Sequence, residues 1–287
     1  MFLGVRDIPK SYSFSNLFEM LNELDVKSFE LRITRDLKFA EEIEKSFQEY
    51  LNLDDVYNFN KLRKKLEEQG YVISALLLAN DFMPNILDEQ VKYVVLSCEI
   101  AEKLGVEVVR INGPMREIEG YTVDMYVELT KKALDIIKNN CKVTLAIENH
   151  GVISNRPDYL EKLFSLYDPE FLGLTLDTGN FYWYGHPLSK VYEIIKKFAS
   201  RVKHTHIKNA TVPPNNREKI RKPAQVIMAP LYEGDIDLRQ VFKLLREKGY
   251  TRDLTIEDES MGRFTPEERK NIIRKDVAFL KEILKSL

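Results

Sequence analysis

Two successive stretches of the chain, KVTLAIEN (142–149) and LGLTLDT (172–178), decide the fold. Each is a short run rich in Val, Leu, Ile and Thr, which is typical of a parallel strand buried on both faces. Each also ends in polar residues, although burying a charge without a partner is costly. A third run of the same kind, RVKHTHIK (201–208), follows after a helical segment. The pattern indicates repeated strand–helix units whose strand ends carry chemistry.

Strand-like runs of this kind recur along the whole chain and alternate with amphipathic segments. The other five are FLGVR (2–6), SFELRI (28–33), YVISALLLA (71–79), VEVVRIN (106–112) and DLTIED (253–258). Apolar residues at helical spacing predict helices over 88–104, 122–139, 187–199, 238–248 and 266–285. About eight strand–helix units in 287 residues predict an α/β fold, a (β/α)8 TIM barrel that forms a single domain over 1–287. A doubly wound open sheet is the alternative, but no Gly-rich phosphate-binding turn follows the first strand.

The longest irregular stretch is 209–236, between the seventh predicted strand and the seventh helix. We expect it to be a structureless loop. In a barrel this connection lies on the face that carries active sites. Loops of this length are usually functional, so the segment is expected to serve the site.

The composition is that of an ordinary globular protein. It contains 43 Lys and Arg against 45 Asp and Glu, so no basic excess argues for a nucleic-acid partner. The longest unbroken apolar run, 75–79, is too short to span a membrane, and Arg6 and Asp7 interrupt any N-terminal signal segment. Cys98 and Cys141 give neither a disulfide framework nor metal-type spacing. We therefore expect a cytoplasmic protein without a membrane partner.

Polar residues stand at the carboxyl ends of the predicted strands, which in a barrel all face one mouth. Four of them end the last four strands in turn: Glu148, Asp177, His206 and Glu257. The first three follow one another at intervals of 29 residues, and Glu257 comes 51 residues after His206 because of the long loop. A single strand-end carboxylate more often caps a helix, but four such groups together predict a metal site. The mixed nitrogen and oxygen set suits Mn²⁺, Zn²⁺, Co²⁺ or Fe²⁺ better than Mg²⁺.

Five segments carry a resemblance to a known family: AIENHG (146–151), LDTGNFYWYGHPL (176–188), VKHTHIKNA (202–210), EGDIDLRQVFKLLREKGY (233–250) and LTIEDE (254–259). Their order and strand-end placement resemble the xylose isomerase-like TIM-barrel family. That family includes sugar and sugar-phosphate isomerases and epimerases, inosose dehydratases and endonuclease IV-type nucleases. The resemblance implies that Glu148, Asp177, His206 and Glu257 bind one divalent metal ion, with Mn²⁺ or Zn²⁺ expected first.

The resemblance also implies that Glu148 and Glu257 form the catalytic pair. Family epimerases hold two vicinal substrate oxygens on the metal, between these two carboxylates. The metal stabilises the enediolate that forms when one carboxylate removes the proton beside the carbonyl. Return of a proton to the far face gives epimerisation, and return to the neighbouring carbon gives isomerisation. The expected function is therefore that of a metal-dependent isomerase or epimerase acting on a sugar or sugar phosphate.

A further group of residues near these strand ends is expected to bind the substrate: Arg110, Asn112, His150, Asn180, Trp183, His204 and Lys208. His204 shares strand parity with His206 and therefore also points inward, where a core role is an equal alternative. The FYWY segment (181–184) is expected to form a loop that offers an aromatic wall to a sugar, with local packing as the alternative.

Two further predictions concern charge pairing at the strand ends. Lys208 either binds a substrate oxygen or phosphate, or forms a salt bridge with a neighbouring strand-end acid. Glu30 is expected to pair with Arg32 or Arg110 rather than to bind substrate.

The sequence departs from the family pattern at two positions. Asn180 stands where some epimerases and the endonucleases carry a His, and Asn209 replaces an Asp that often follows the His-x-Lys motif. No His occurs at the third or fourth strand ends, where the endonucleases need histidines for a trinuclear zinc cluster. These departures argue against a nuclease.

Three other functions remain open beside the isomerase or epimerase. They are an inosose dehydratase-type lyase with the same site, an endonuclease IV-type nuclease, and a sugar-binding barrel without catalysis. The expected partner is a small-molecule sugar or sugar phosphate, with no nucleic acid, and the assembly is expected to be a homodimer or homotetramer.

Overall fold

The eight predicted strands form a closed parallel barrel in the computed structural model, which describes all 287 residues. The strands are, in chain order, β1 (Phe2–Arg6), β2 (Ser28–Ile33), β3 (Val72–Leu78), β4 (Val108–Ile111), β5 (Thr144–Glu148), β6 (Leu172–Asp177), β7 (Val202–Ile207), β8 (Asn209–Thr211), β9 (Ile227–Ala229) and β10 (Asp253–Ile256). All except β8 and β9 belong to the barrel, and β1 closes it by pairing with both β2 and β10. The predicted (β/α)8 architecture is confirmed, with strand ends shortened by at most two residues.

Helices connect the strands and surround the barrel. They are α1 (Leu17–Leu24), α2 (Glu41–Leu51), α3 (Phe59–Glu68), α4 (Leu87–Leu104), α5 (Val123–Lys138), α6 (Pro157–Ser165), α7 (Asn180–Tyr184), α8 (Leu188–Phe198), α9 (Leu238–Glu247) and α10 (Pro266–Ser286). The five predicted helices are confirmed to within one residue at each end. Local capping explains this agreement: α4 stops at Gly105 in the left-handed conformation, and α10 starts with a reciprocal capping box between Thr265 and Glu268. None of the helices combines the length and apolar character needed to cross a membrane.

The main hydrophobic core lies between the strands and the helices, whereas the barrel interior holds both a small apolar cluster and many polar side chains. On β3, β4 and β5 the inward side chains Ala75, Val108 and Ala146 form a small separate apolar cluster. On β1, β2, β7 and β10 five inward positions instead hold charged or titratable side chains, namely Arg6, Glu30, His204, His206 and Asp253. Barrel interiors are usually filled with branched apolar residues, so these charged positions need a separate explanation.

The connection 209–236 contains a small antiparallel sheet. β8 pairs with β9, from Asn209 opposite Ala229 to Thr211 opposite Ile227. A short helical turn follows β8 at Pro214–Asn216. The prediction of a structureless loop is therefore wrong, because the segment pairs with itself.

Asn209 anchors this connection with all the hydrogen bonds that its side chain offers. Its Nδ2 donates to the carbonyls of Leu231 at 2.9 Å and Ile236 at 3.0 Å. Its Oδ1 accepts from the backbone N–H groups of Ala210 and Ile236. Gly234 makes room for the amide, since a Cβ there would lie 2.0 Å from Cγ of Asn209. An Asp at this position has no N–H to give the two carbonyls, which accounts for the departure from the family pattern.

The two cysteines form one disulfide between Cys98 in α4 and Cys141 just beyond α5, with their Cα atoms 5.5 Å apart. The bridge ties two neighbouring helical units together on the outside of the barrel. Disulfides are uncommon in cytosolic proteins of most organisms. The expected cytoplasmic location stays a prediction, and this bridge weighs against it.

We predict that Asn209→Asp lowers the free energy of unfolding by about 1–3 kcal/mol, the usual cost of leaving buried polar groups unsatisfied. The new carboxylate would face two carbonyl oxygens that now receive hydrogen bonds. Urea denaturation measures the effect, with Asn215→Asp on an exposed position of the same connection as the control. Equal stability of the two variants would contradict the anchoring role of Asn209.

Candidate metal centre

The four predicted metal ligands meet at the mouth of the barrel. Glu148 ends β5, Asp177 ends β6, His206 lies near the end of β7, and Glu257 follows β10. One ligand atom from each lies within 4.8 Å of those from the other three. Glu148, Asp177 and His206 are at most 1% exposed and Glu257 is 9% exposed. The strand register produces this convergence, because Asp177 pairs directly with His206 in the sheet.

Two of these side chains present a buried atom that no hydrogen bond satisfies. Oδ1 of Asp177 accepts from the N–H groups of Gly179 and Asn180 and so caps α7, whereas Oδ2 makes no hydrogen bond of acceptable geometry and is contacted by Nζ of Lys208 at 2.9 Å. Nδ1 of His206 also makes no hydrogen bond of acceptable geometry. It lies 3.1 Å from Oε2 of Glu257 and 3.5 Å from Oε2 of Glu148. Three carboxylates and one imidazole with unsatisfied atoms fit a divalent ion such as Mn²⁺ or Zn²⁺.

Permanent cations surround the carboxylates of the cluster. Arg110 donates to Oε2 of Glu148. Nζ of Lys208 lies 2.9 Å from Oδ2 of Asp177 and 3.3 Å from Oε2 of Glu257. Two roles were predicted for Lys208, and the structure contains the salt bridge with neighbouring strand-end acids.

Burial and these cations act in opposite directions on the acids. Burial raises the pKa of Asp177 to about 6, although Lys208 opposes the shift. Burial would also raise the pKa of Glu148, but Arg110 and His206 hold this pKa well below its usual range. Glu148 is therefore held as a carboxylate, ready to bind a cation or accept a proton.

A second layer of buried charge lies below the cluster, inside the barrel. Oε1 of Glu30 accepts from Nε2 of His204 at 2.8 Å and from Nε2 of His206 at 2.9 Å. Oε2 of Glu30 lies 2.8 Å from Nε of Arg6, which also donates to Glu257. The predicted pairing of Glu30 with Arg32 or Arg110 is wrong, because the register of β1 and β2 places Arg6 beside Glu30.

Sequence reasoning missed Arg6 and Asp253 as members of this layer. Oδ2 of Asp253 lies 2.8 Å from Nδ1 of His204. The alternation of side chains along a strand could have identified Asp253. It lies two and four residues before Thr255 and Glu257 and therefore points inward with them. His204 is held between Glu30 and Asp253, which matches its alternative as a core residue.

The other predicted substrate-binding residues lie at different distances from the cluster. Nδ2 of Asn180 donates to Oε1 of Glu148 at 3.2 Å. His150 has 43% of its side chain exposed, and its Nδ1 lies 3.1 Å from Nη2 of Arg110. Asn112 is engaged with Asn80, donating to its carbonyl at 2.9 Å, while its own Oδ1 is buried and free.

The FYWY segment forms the short helix α7 rather than the predicted loop. The Oδ1 cap from Asp177 starts this helix, and Gly185 ends it in the left-handed conformation. Tyr182 is buried, donates to Oδ2 of Asp235 at 3.0 Å and packs against the guanidinium of Arg221. Trp183 is partly exposed, and its role in substrate binding stays a prediction.

The barrel and its strand-end cluster agree with a known family. The family model for the xylose isomerase-like TIM barrel matches residues 18–283. This chain belongs to that family. The expectation from the five matching segments is therefore confirmed.

Relatives of the chain include proteins with different reactions. An inosose dehydratase of Clostridium perfringens is 30% identical over 118 residues, which is 38% of this chain and 38% of that protein, so the chain spans less than two fifths of this relative. The crystal structure of an IOLI protein with a bound zinc atom has a TM-score of 0.68 at 17% identity, covering 100% of this chain and 99% of that one. The Escherichia coli 3-keto-D-glucoside 4-epimerase YcjR has a TM-score of 0.63 at 14% identity, covering 98% and 99%. These structural likenesses establish the fold.

We predict about one divalent ion per chain in gently purified protein, and a markedly lower content in Asp177→Asn. The amide would still cap α7 but would lose the charge at Oδ2. Removing a residue that only hydrogen-bonds to a metal ligand typically weakens metal binding roughly 10–100-fold. Asp177 is proposed to bind the ion directly, so its substitution should weaken binding by at least that much. Elemental mass spectrometry measures the content.

The matched control is Glu259→Gln. Glu259 contacts the same Lys208 at 3.0 Å but is half-exposed and lies outside the cluster. It should keep the wild-type metal content. An absence of metal in the wild type after incubation with excess Mn²⁺ would contradict the site, and two or three zinc ions per chain would indicate a nuclease-type cluster.

Proposed function

We propose that this protein is a divalent-metal-dependent isomerase or epimerase that acts on a sugar or sugar phosphate by removing a proton next to a carbonyl. The proposed metal is Mn²⁺ or Zn²⁺, held by Glu148, Asp177, His206 and Glu257. The proposed catalytic pair is Glu148 and Glu257. When bound, such an ion polarises the carbonyl and stabilises the negative charge that develops on the substrate oxygens.

The charge balance of the buried network carries this proposal. Five carboxylates of this network are at least nine-tenths buried, and shared arginine, lysine and histidine side chains link them to one another. They are Glu30, Glu148, Asp177, Asp253 and Glu257. Three permanent cations face them, namely Arg6, Arg110 and Lys208. Without an ion, protonation of His204 and His206 balances the network, because, although burial opposes this, the facing carboxylates raise the pKa of both rings. A histidine that binds a metal is neutral, and with both imidazoles neutral the network lacks two positive charges. One divalent ion among the four strand-end ligands supplies this deficit.

The arrangement of Glu148 and Glu257 supports proton transfer on two sides of a bound substrate. They come from β5 and from the end of β10, and each approaches Nδ1 of His206 with its Oε2 atom. A general base must reach a proton at hydrogen-bond distance, and strand ends at a barrel mouth hold carboxylates in fixed positions. One carboxylate would take the proton, and the other would return a proton from the opposite face.

Three side chains near the cluster could donate hydrogen bonds to substrate oxygens during the reaction, namely Arg110, His150 and Lys208. Arg110 and Lys208 are charged donors already in contact with the carboxylates of the cluster. His150 is the partly exposed member and would reach a substrate hydroxyl from the mouth. Preorganised donors of this kind stabilise negative charge as it develops on oxygen.

The second candidate is a dehydratase, which the 118-residue similarity to inosose dehydratase favours. The same carboxylate would remove the proton beside the carbonyl, and a hydroxyl on the neighbouring carbon would then leave as water with a proton from an acid. The two functions share their first step and differ in their product. Product analysis therefore separates them.

We predict that Glu148→Gln and Glu257→Gln each reduce exchange of the substrate proton with solvent by about 10²–10⁴-fold, the range for loss of a general acid or base. The reason is that an amide cannot take up the proton. A panel of ketoses, ketose phosphates and inososes in D₂O, followed by NMR and mass spectrometry, measures deuterium uptake.

Glu259→Gln is again the control and should exchange at the wild-type rate. Deuterium uptake without loss of water supports the isomerase or epimerase. A dehydrated product as the sole outcome would assign the lyase, and full exchange in both Gln variants would remove Glu148 and Glu257 from the mechanism.

A further inference from the structure

We infer that Glu30 is a positioning residue for the metal centre: it accepts a hydrogen bond from Nε2 of His206 and thereby aims Nδ1 of that ring at the metal. This inference rests on the proposed metal-dependent function. It assigns a role to the polar layer inside the barrel, which the proposed reaction does not itself use.

The two nitrogens of His206 face different surroundings. Nε2 lies 2.9 Å from Oε1 of Glu30, deeper in the barrel. Nδ1 faces the mouth, 3.1 Å from Glu257 and 3.5 Å from Glu148. A neutral imidazole carries a hydrogen on one nitrogen and a lone pair on the other. When an ion lies between Glu148, Glu257 and Nδ1, a hydrogen on Nδ1 is excluded, and the carboxylate of Glu30 accepts the hydrogen that remains on Nε2. Glu30 thereby favours the tautomer whose lone pair is at Nδ1, among the other ligand atoms.

Both carboxylate oxygens of Glu30 have partners besides His206, and these contacts orient the carboxylate toward that ring. Its Oε1 also accepts from Nε2 of His204 at 2.8 Å. Its Oε2 faces Nε of Arg6 at 2.8 Å. His204 is fixed in turn by Asp253 below it, at 2.8 Å. Glu30, His204, His206 and Asp253 are all fully buried, so water does not compete for these contacts.

Stability alone gives little reason for this layer. Buried ion pairs often contribute no more to folding than well-packed apolar residues of the same volume, because desolvation offsets their attraction. Three neighbouring positions at this end of the barrel interior are indeed apolar, namely Ala75, Val108 and Ala146. A metal-ligating His, by contrast, commonly requires an outer partner that fixes its ring and tautomer. Glu30 meets that requirement.

A second ion held by Glu30, His204 and His206 is the competing interpretation, because their ligand atoms also lie within 4.8 Å of one another. Two contacts disfavour it. Both Nε2 atoms are already hydrogen-bonded to the same carboxylate oxygen. The guanidinium of Arg6 lies against the other oxygen and would repel a cation there.

The test compares Co²⁺ and Zn²⁺ binding by the wild type and Glu30→Gln, using a chelating dye for affinity and the visible spectrum of bound Co²⁺ for geometry. We expect one ion per chain in both proteins, about 10–100-fold weaker binding in the variant, and an altered Co²⁺ spectrum. Asp7→Asn is the matched control. Asp7 is also buried beside Arg6, but its Oδ2 accepts from the N–H of Arg32 and it makes no contact with His206. It should keep the wild-type affinity and spectrum even if it is less stable.

Wild-type affinity and spectrum in folded Glu30→Gln would overturn the inference while leaving the metal site intact. Two ions per wild-type chain, with one lost in the variant, would replace the inference with the second-ion interpretation. A wild type that binds no metal would instead refute the proposed function. If Glu30→Gln does not fold, ¹⁵N NMR of the histidines in the Zn²⁺-loaded wild type decides: a hydrogen on Nε2 of His206 is expected, and ligation through Nε2 would overturn the inference.

Discussion

Charge buried inside a closed barrel is the constraint on which this site depends. A carboxylate in the interior is stable only beside a cation or a hydrogen-bond donor. Arg6, Arg110 and Lys208 meet part of that need from β1, β4 and the end of β7. The two buried histidines meet the rest when they are protonated, because the facing carboxylates raise the pKa of each. When His206 is neutral, as metal binding requires, the deficit falls at the mouth, where strand ends converge and a divalent ion has access. The chemistry proposed for the protein follows from this imbalance and not from the barrel alone, because the same fold carries many functions.

Much of this arrangement could be predicted from the sequence, because the pattern and the topology reinforce each other. Short apolar runs predicted every barrel strand, and a barrel brings strand ends together however far apart they lie in sequence. Glu148, Asp177, His206 and Glu257 could therefore be grouped before any contact was known. Their roles as ligands remain predictions.

Contacts across the barrel could not be predicted in the same way. Glu30 meets His206 from a strand 176 residues away, and this contact depends on barrel register and on which side chains share a layer. The hydrogen bonds of Asn209 depend on how a long connection folds back on itself. The disulfide between Cys98 and Cys141 depends on two helices lying side by side. Local sequence carries none of this information.

The most direct test of the account is anomalous diffraction from crystals soaked in Mn²⁺. We expect one strong peak per chain, at bonding distance from carboxylate oxygens of Glu148, Asp177 and Glu257 and from Nδ1 of His206. Lys208 should then move away from Asp177 while the contact between Glu30 and Nε2 of His206 persists. A peak elsewhere, or none at saturating Mn²⁺, would contradict the metal centre and the function built on it.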